Sequence, residues 1–387
     1  MIYDPLELTS ELIRCRSITP NNDGAIELLS EKLENIGFNC EIIEFAEEGT
    51  ETIKNLWAQI GKKSPCLSFA GHTDVVPVVD EDSWTSPPFE GSNDGNIIIG
   101  RGVADMKGSI SSFVSAVSTY LDECSKEFKG SIAFIITGDE EGVAINGTCK
   151  LLEWMENNGH KFDDCIVGEP TNPNKLGEMV KIGRRGSTNI TIKCNGTEGH
   201  VAYPDLADNP VPKLVKLLNE LIKKPLDDGN EYFDASNLEL TSIDTGNFAT
   251  NVIPSSISAS LNIRYNDTFD KDKIEKEIHN RLNILGYDNF DVSFQHSGDS
   301  FITEPGKFVN DLEKIIEKHC GIKPVLSTTG GTSDARFITK LCPVIEFGLV
   351  GKTMHKIDEN VEVDDIMKLT SIYNKFLHNY FRVEKND

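Results

Sequence analysis

Five short segments of the chain concentrate histidine and carboxylate where buried strands should end, the usual site position in open α/β sheets. The first is Gly71-His72-Thr73-Asp74-Val75-Val76-Pro77. A strand sends alternate residues to one side, so His72 and Asp74 face the same way. A metal-bound imidazole hands its other N–H to a carboxylate or carbonyl, and Asp74 is placed to take it. The other reading is a surface His-x-Asp pair at a turn. The second segment, Gly100-Arg101-Gly102-Val103-Ala104-Asp105-Met106-Lys107-Gly108, is a glycine-rich loop entering a helix. It lacks the Lys-Ser/Thr ending of a phosphate loop, which excludes that chemistry. Asp105 stands at the helix entrance, as a ligand or as an N-terminal cap. In the third, Asp139-Glu140-Glu141 follows an apolar run. Three successive acids repel unless a cation or a raised pKa relieves them, so the choice is a ligand beside a general base or a solvated loop. The fourth and fifth segments carry Glu169 in Gly168-Glu169-Pro170-Thr171 and His355 in Gly351–Lys356; His355 alone reads as a surface residue. Jointly the five supply the oxygen and nitrogen donors suited to zinc or its first-row neighbours.

The elements that must position these residues read as α/β. Ile26, Leu29, Leu33 and Ile36 recur at helical spacing with Gly37 as a stop. Short apolar runs bounded by glycine at 66–70, 97–99, 132–136 and 165–167 read as buried strands of a helix-covered sheet, with a buried helix over 108–120. From about 189 to 295 the order changes to strand, helix, strand, strand, helix, strand. Ile257, Ala259, Leu261, Ile263 and Tyr265 alternate strictly in the third of those strands. That order is the ferredoxin-like split unit. The α/β pattern then resumes, with a strand over 343–347 and a last helix carrying Ile366, Leu369, Tyr373, Phe376 and Tyr380. The expected organisation is a catalytic domain of 1–182 and 298–387 with 183–297 inserted into it.

A chain of 387 residues is long for one domain, and 38% hydrophobic against 26% charged residues suits an ordinary core under a charged surface. The 38 Lys and Arg against 62 Asp and Glu give a formal net charge of −24. Such a surface repels nucleic-acid phosphates and anionic lipid, so neither is expected as a partner. Nine scattered cysteines without a CxxC point to a reducing compartment, not to a disulfide frame or a sulfur-ligated zinc. The N-terminus has no basic region followed by an apolar run, and no stretch is apolar for the ~18–20 residues that a membrane span needs. The expectation is a soluble, cytoplasmic protein.

The motifs resemble the metallopeptidase/deacylase family of aminoacylases and carboxypeptidases, which work with two co-catalytic zinc ions. The blocks that carry the resemblance are GHTDVVP at 71–77, WTSPPFEG at 84–91, GRGVADMKG at 100–108, TGDEEG at 137–142 and GEPT at 168–171. They continue with GRRGS at 183–187, GHVAYP at 199–204, TNVIP at 250–254 and GGTSDARF at 330–337, in family order through nearly the whole chain. The resemblance implies a zinc-peptidase-like α/β domain with an inserted ferredoxin-like lid that forms a homodimer. It implies two Zn2+ per subunit, with Co2+ able to substitute: one on His72 and Glu169, one on Glu141 and His355, and Asp105 bridging. Asp74 would orient His72. Glu140 would be the general base, and His200 would reach across the dimer to the oxyanion of the tetrahedral intermediate.

GRRGS, GHVAYP and GGTSDARF are similar to the branch that releases succinate from an N-succinylated diamino diacid in diaminopimelate and lysine biosynthesis. Arginine forks suit such a polycarboxylate, which makes Arg184, Arg185 and Arg264 candidate contacts, with Tyr203, Asn251, Ser297 and Thr332 as neutral donors. Two alternatives stand beside this expectation. One is another deacylase of the family, such as an acetylornithine deacetylase, or a dipeptidase; the other is a non-catalytic metal-binding protein.

Overall fold

The computed structural model describes residues 1–124 and 128–382. The chain divides into two compact units, one of 1–182, 303–327 and 333–387, the other of 183–302 with 328–332.

The first unit is built on an eight-stranded sheet. Across it the strands run Asn39–Phe45, Ile53–Gly61, Ser131–Thr137, Cys66–His72, Asp164–Val167, Val344–Glu346, Met179–Lys181 and Val325–Ser327. Ser131–Thr137, Cys66–His72, Asp164–Val167 and Val344–Glu346 are parallel neighbours, so their C-terminal ends lie side by side. The central strands Cys66–His72 and Ser131–Thr137 are buried at every position, as strands covered on both faces must be. Phe69 stacks on Phe113 at 4.3 Å, and Phe113 meets Phe134 and Tyr373 edge-on at 5.4 and 5.2 Å. Each such contact contributes roughly 0.5–1.5 kcal/mol beyond burial alone. This aromatic cluster joins the sheet to helices Gly108–Glu123 and Val363–Tyr380.

One expected strand belongs elsewhere. Ile97–Ile99 does not enter the large sheet; it pairs antiparallel with Ser92–Asn93 and Asn360–Glu362 in a separate three-stranded sheet. Apolar composition cannot distinguish the two placements in a run of three residues.

The second unit is a four-stranded antiparallel sheet in the order Asn237–Asp244, Ser256–Tyr265, Gly186–Asn195, Phe290–Gly298. Helices Pro210–Ile222 and Lys271–Asn283 complete the βαββαβ order. Leu214, Leu218, Leu221, Ile274, Ile278 and Leu282 pack on alternate strand residues such as Ile190, Ile192, Ile257 and Leu261 to form its core. Asn209 and Asp270 cap the two helices through their side chains. Among the described residues no helix is long and apolar enough to cross a membrane.

Candidate metal centre

The site grows from the ends of three adjacent parallel strands. His72 is the last residue of Cys66–His72, Glu140 and Glu141 lie just beyond Ser131–Thr137, and Glu169 is two residues past Asp164–Val167. Asp105 arrives from another direction, in the turn Val103–Lys107 that leads into helix Gly108–Glu123. Its φ/ψ of −126°/90° is extended, and its carboxylate turns to two histidines rather than capping the helix.

Two glycines explain how Asp105 can enter. A Cβ on Gly71, which precedes His72, would sit 2.5 Å from Met106 Cε. One on Gly168, which precedes Glu169, would sit 2.7 Å from the same atom and 2.5 Å from Phe69 Cζ. The side chain following Asp105 therefore fills space that these glycines leave open between two strand ends. This is a physical reason for GH, ADM and GE to occur together in one chain.

Asp105 is the pivot. Its Oδ1 is 3.2 Å from His72 Nε2 and its Oδ2 is 3.3 Å from His355 Nε2. His72 Nε2 is also 3.9 Å from Glu169, and His355 Nε2 is 2.8 Å from Glu141. The donor atoms of His72, Asp105 and Glu169 all lie within 4.8 Å of one another, as do those of Asp105, Glu141 and His355. His72, Glu140 and Glu141 form a third such group.

His72 Nδ1 donates to the main-chain carbonyl of Asp74 at 2.9 Å, which leaves Nε2 as the pole facing Asp105. Of the two acceptors Asp74 offers, it is the carbonyl that takes this proton, the nearest carboxylate oxygen being 3.6 Å from Nδ1. That carboxylate instead accepts the N–H groups of Glu140 and Glu141, at 3.2 and 3.0 Å. Asp74 thus positions the acidic loop with its side chain and the imidazole with its backbone. Asp139, the first of the three acids, is a structural lock: it is buried and accepts the Asn146 N–H at 3.2 Å.

The charges fit a cation. Burial pushes the Glu169 carboxyl well above its ordinary range, and the Asp105 and Glu140 carboxylates push it further. Burial likewise holds Glu140 up, to about 8, against the lowering pull of His72, while Asp334, Glu141 and Asp105 add repulsion. Asp105 moves down despite its burial, because His355 and His72 hydrogen-bond to it. His355 rises to about 10 on its bonds to Asp105 and Glu141. His72 is also raised, the carboxylates around it outweighing its burial. Acids this close that must borrow protons in the bare protein are relieved by a metal ion, and the imidazole and carboxylate donors suit zinc.

Sequence reasoning missed two residues that this arrangement depends on. Glu359 is fully buried, and its Oε1 accepts the N–H groups of Ala104 and Asp105 at 3.0 and 3.3 Å. Arg101, quoted in the glycine-rich loop without a role, donates to Glu359 Oε2 at 2.7 Å. The available signal was an arginine between two glycines of that loop, which needs a partner if the loop is buried.

With this geometry in view, the comparisons decide the family. The description "Peptidase family M20/M25/M40" matches residues 68–379. The chain belongs to that family. It is 50% identical over 382 residues to a succinyl-diaminopimelate desuccinylase of Methylorubrum extorquens, covering 98% of this chain and 99% of that relative. Its fold is similar to that of a tripeptidase from Staphylococcus aureus subsp. aureus Mu50 (TM-score 0.78, 19% identity, 99% and 100% of the two chains). It is also similar to that of a dinuclear metal-binding M20 peptidase from Bacillus subtilis (TM-score 0.65, 17% identity, 96% and 95%).

The remaining residues of interest lie in the second unit. His200 is exposed on the short strand Gly199–His200, paired with Val252–Ile253, and its Nδ1 accepts the Ala202 N–H at 3.0 Å. Tyr203 is 63% exposed, its ring centroid 5.8 Å from that of His200, and the Asn251 carbonyl accepts the Val201 N–H at 3.1 Å. These three therefore cluster. Arg264 pairs in register with Ser187 and donates to Asn262 at 3.0 Å; burial and the nearby Arg185 lower its pKa. Arg185 donates to Asn237 at 2.9 Å, and Arg184 to the carbonyl of Gly331, beside Thr332, at 3.1 Å. Ser297 is exposed on Phe290–Gly298.

Proposed function

We propose that the chain hydrolyses the amide bond of N-succinyl-L,L-2,6-diaminopimelate, releasing succinate and L,L-2,6-diaminopimelate. The carrying observation is the pair of donor groups that share Asp105, with Glu140 held beside them by the Asp74 carboxylate. The identity of 50% over nearly the whole length of a relative named for that reaction supports the choice of substrate.

His72 and Glu169 would hold one Zn2+ of the working enzyme, Glu141 and His355 the other, and Asp105 would serve both. The chemistry such ions would supply is polarisation of the scissile carbonyl and activation of water as a nucleophile. Glu140, whose backbone is fixed by Asp74, takes the proton of the attacking water and delivers it to the leaving amine. His72 keeps Nε2 turned to the site because its Nδ1 proton is engaged by the Asp74 carbonyl. Arg185 and Arg264, which have no carboxylate partner among the described residues, bind carboxylates of the substrate together with Arg184. Tyr203, Asn251, Ser297 and Thr332 supply neutral donors. The inserted unit, 183–297 with its flanks, pairs two chains, and His200 of the partner subunit donates to the oxyanion. The enzyme works in the cytoplasm.

The test is hydrolysis of N-succinyl-diaminopimelate by zinc-loaded protein, measured beside acetylornithine. The proposal expects kcat/KM for the succinyl substrate to be higher by at least about a hundredfold, as buried polar recognition allows. Equal turnover, or a preference for acetylornithine, would assign the chain to the neighbouring deacylase activity.

A further inference from the structure

His355 is an exposed side chain, 46% accessible, on a turn closed by the Lys356 N–H on the Thr353 carbonyl at 3.1 Å. Its φ is +62°, and Asp358, three residues on, has φ +55°. Left-handed conformations are costly for residues other than glycine and persist only where the surroundings enforce them. Asp105, which faces His355, has ordinary extended φ/ψ within the turn Val103–Lys107, and its N–H is accepted from outside that turn.

A single buried ion pair serves both. Glu359 is 0% exposed and Arg101 4%. One carboxylate oxygen of Glu359 takes the Ala104 and Asp105 N–H groups, and the other takes Arg101 Nη1. The same Nη1 donates to the carbonyl of Lys356, the residue after His355, at 3.3 Å. The Glu359 carbonyl accepts the Gly100 N–H at 2.9 Å, which closes the knot on the glycine-rich loop. Around it, Thr353 and Asn360 exchange two hydrogen bonds across the His355 turn, at 2.7 and 3.0 Å. The three-stranded sheet fixes Asn360–Glu362 against Ile97–Ile99.

A buried ion pair is a poor source of folding stability, because desolvation offsets most of the attraction. This one includes none of the candidate substrate contacts, yet it binds the backbone at Asp105 and next to His355, the two residues that face each other at 3.3 Å. We propose that Arg101 and Glu359 are positioning residues that set the distance between Asp105 and His355, and hence the affinity of the ion held on the His355 side. The inference rests on the ligand reading above.

The experiment is a stepwise Zn2+ titration of metal-free protein by calorimetry, with Co2+ absorption spectra as a second readout. Glu359→Gln keeps the volume and an acceptor for the two N–H groups but loses the charge pairing with Arg101. It is expected to bind the second ion about 10–100-fold more weakly, the usual cost of removing an outer hydrogen-bond partner of a metal ligand. The first ion should change less, and the Co2+ spectrum of the second site should be altered. Arg101→Met/Glu359→Gln removes both charges while the Gln oxygen still accepts the two N–H groups, so the fold should keep a metal-free Tm near wild type while second-ion affinity stays low. Unchanged affinities in Glu359→Gln overturn the proposal. So does a loss that tracks the fall in metal-free Tm across the two variants, because that is the mark of a structural pair. Should the double variant fail to fold, the single variant decides on the same criteria. Wild-type protein that binds no more than one ion would instead refute the ligand assignment.

Discussion

The donor cluster of the first unit and the arginine and hydroxyl set of the second are prepared to very different degrees. His72, Asp105, Glu141, Glu169 and His355 are tied to one another and to Asp74 and Glu359 by bonds the chain makes itself. His200, Tyr203, Asn251 and Ser297 are exposed, and Arg185 and Arg264 spend their charge on asparagine side chains. A metal centre must hold its ligands in place before the ion arrives, because spacing sets affinity. Substrate contacts can be completed by the substrate or by a second copy of the chain. The difference predicts that changes in the first unit act on metal content or kcat and that changes in the second, the oxyanion donor His200 apart, act on KM or assembly.

Glu140→Gln should show the largest effect. It keeps volume and backbone, so zinc content should stay at wild-type level while kcat falls by ~10²–10⁴. A near-normal kcat would remove Glu140 from the role of base. Mixed dimers sharpen the comparison next. Glu140→Gln and His200→Ala homodimers should each turn over poorly, yet their heterodimer should recover towards half of wild type if His200 serves the opposite chain. Heterodimers verified by mass spectrometry that recover nothing would place His200 in its own chain's chemistry or outside it.

A smaller effect is expected in the second unit. Arg264→Lys keeps the charge but loses the fork, and should raise KM by roughly tenfold with kcat within a few-fold. A loss confined to kcat would break the proposed division of labour. The smallest signal is protonic. His355 at about 10 and His72 raised above its ordinary value both carry a proton near neutrality in the metal-free protein, and each must shed it to bind an ion. Zinc affinity should therefore rise with pH through neutrality and level off above the His355 pKa. Calorimetry in buffers of different ionisation enthalpy should detect protons released on loading. In the metal-free fold the same His355 shift stabilises fully below the ordinary imidazole pKa, and its contribution disappears as pH rises through about 10. A zinc affinity that does not change with pH would contradict both statements.

Much of this was legible in the sequence where the signal was local. Buried strands announce themselves by β-branched runs, so the positions of His72, Glu140, Glu141 and Glu169 at strand ends followed from the runs before them. The strict alternation at Ser256–Tyr265 likewise marked the second unit's sheet. What stayed hidden depends on long-range pairing. Arg101 and Glu359 are 258 positions apart, and no periodicity links them. Ile97–Ile99 belongs to a small sheet because Asn360–Glu362 pairs with it, a fact absent from either segment alone. That Asp74 faces His72 followed from a shared strand face, but not which Asp74 oxygen takes the proton: the strand ends at His72 and the chain turns so that the carbonyl comes closer.

The central claim is that Asp105 is shared between two ions while Glu140 touches neither. Anomalous diffraction at the zinc edge from zinc-loaded crystals tests it directly. Two peaks should flank the Asp105 carboxylate, one bounded by His72 and Glu169 and the other by Glu141 and His355, with Glu140 outside both coordination shells. A single peak, or a Glu140 oxygen bound to either ion, would contradict it.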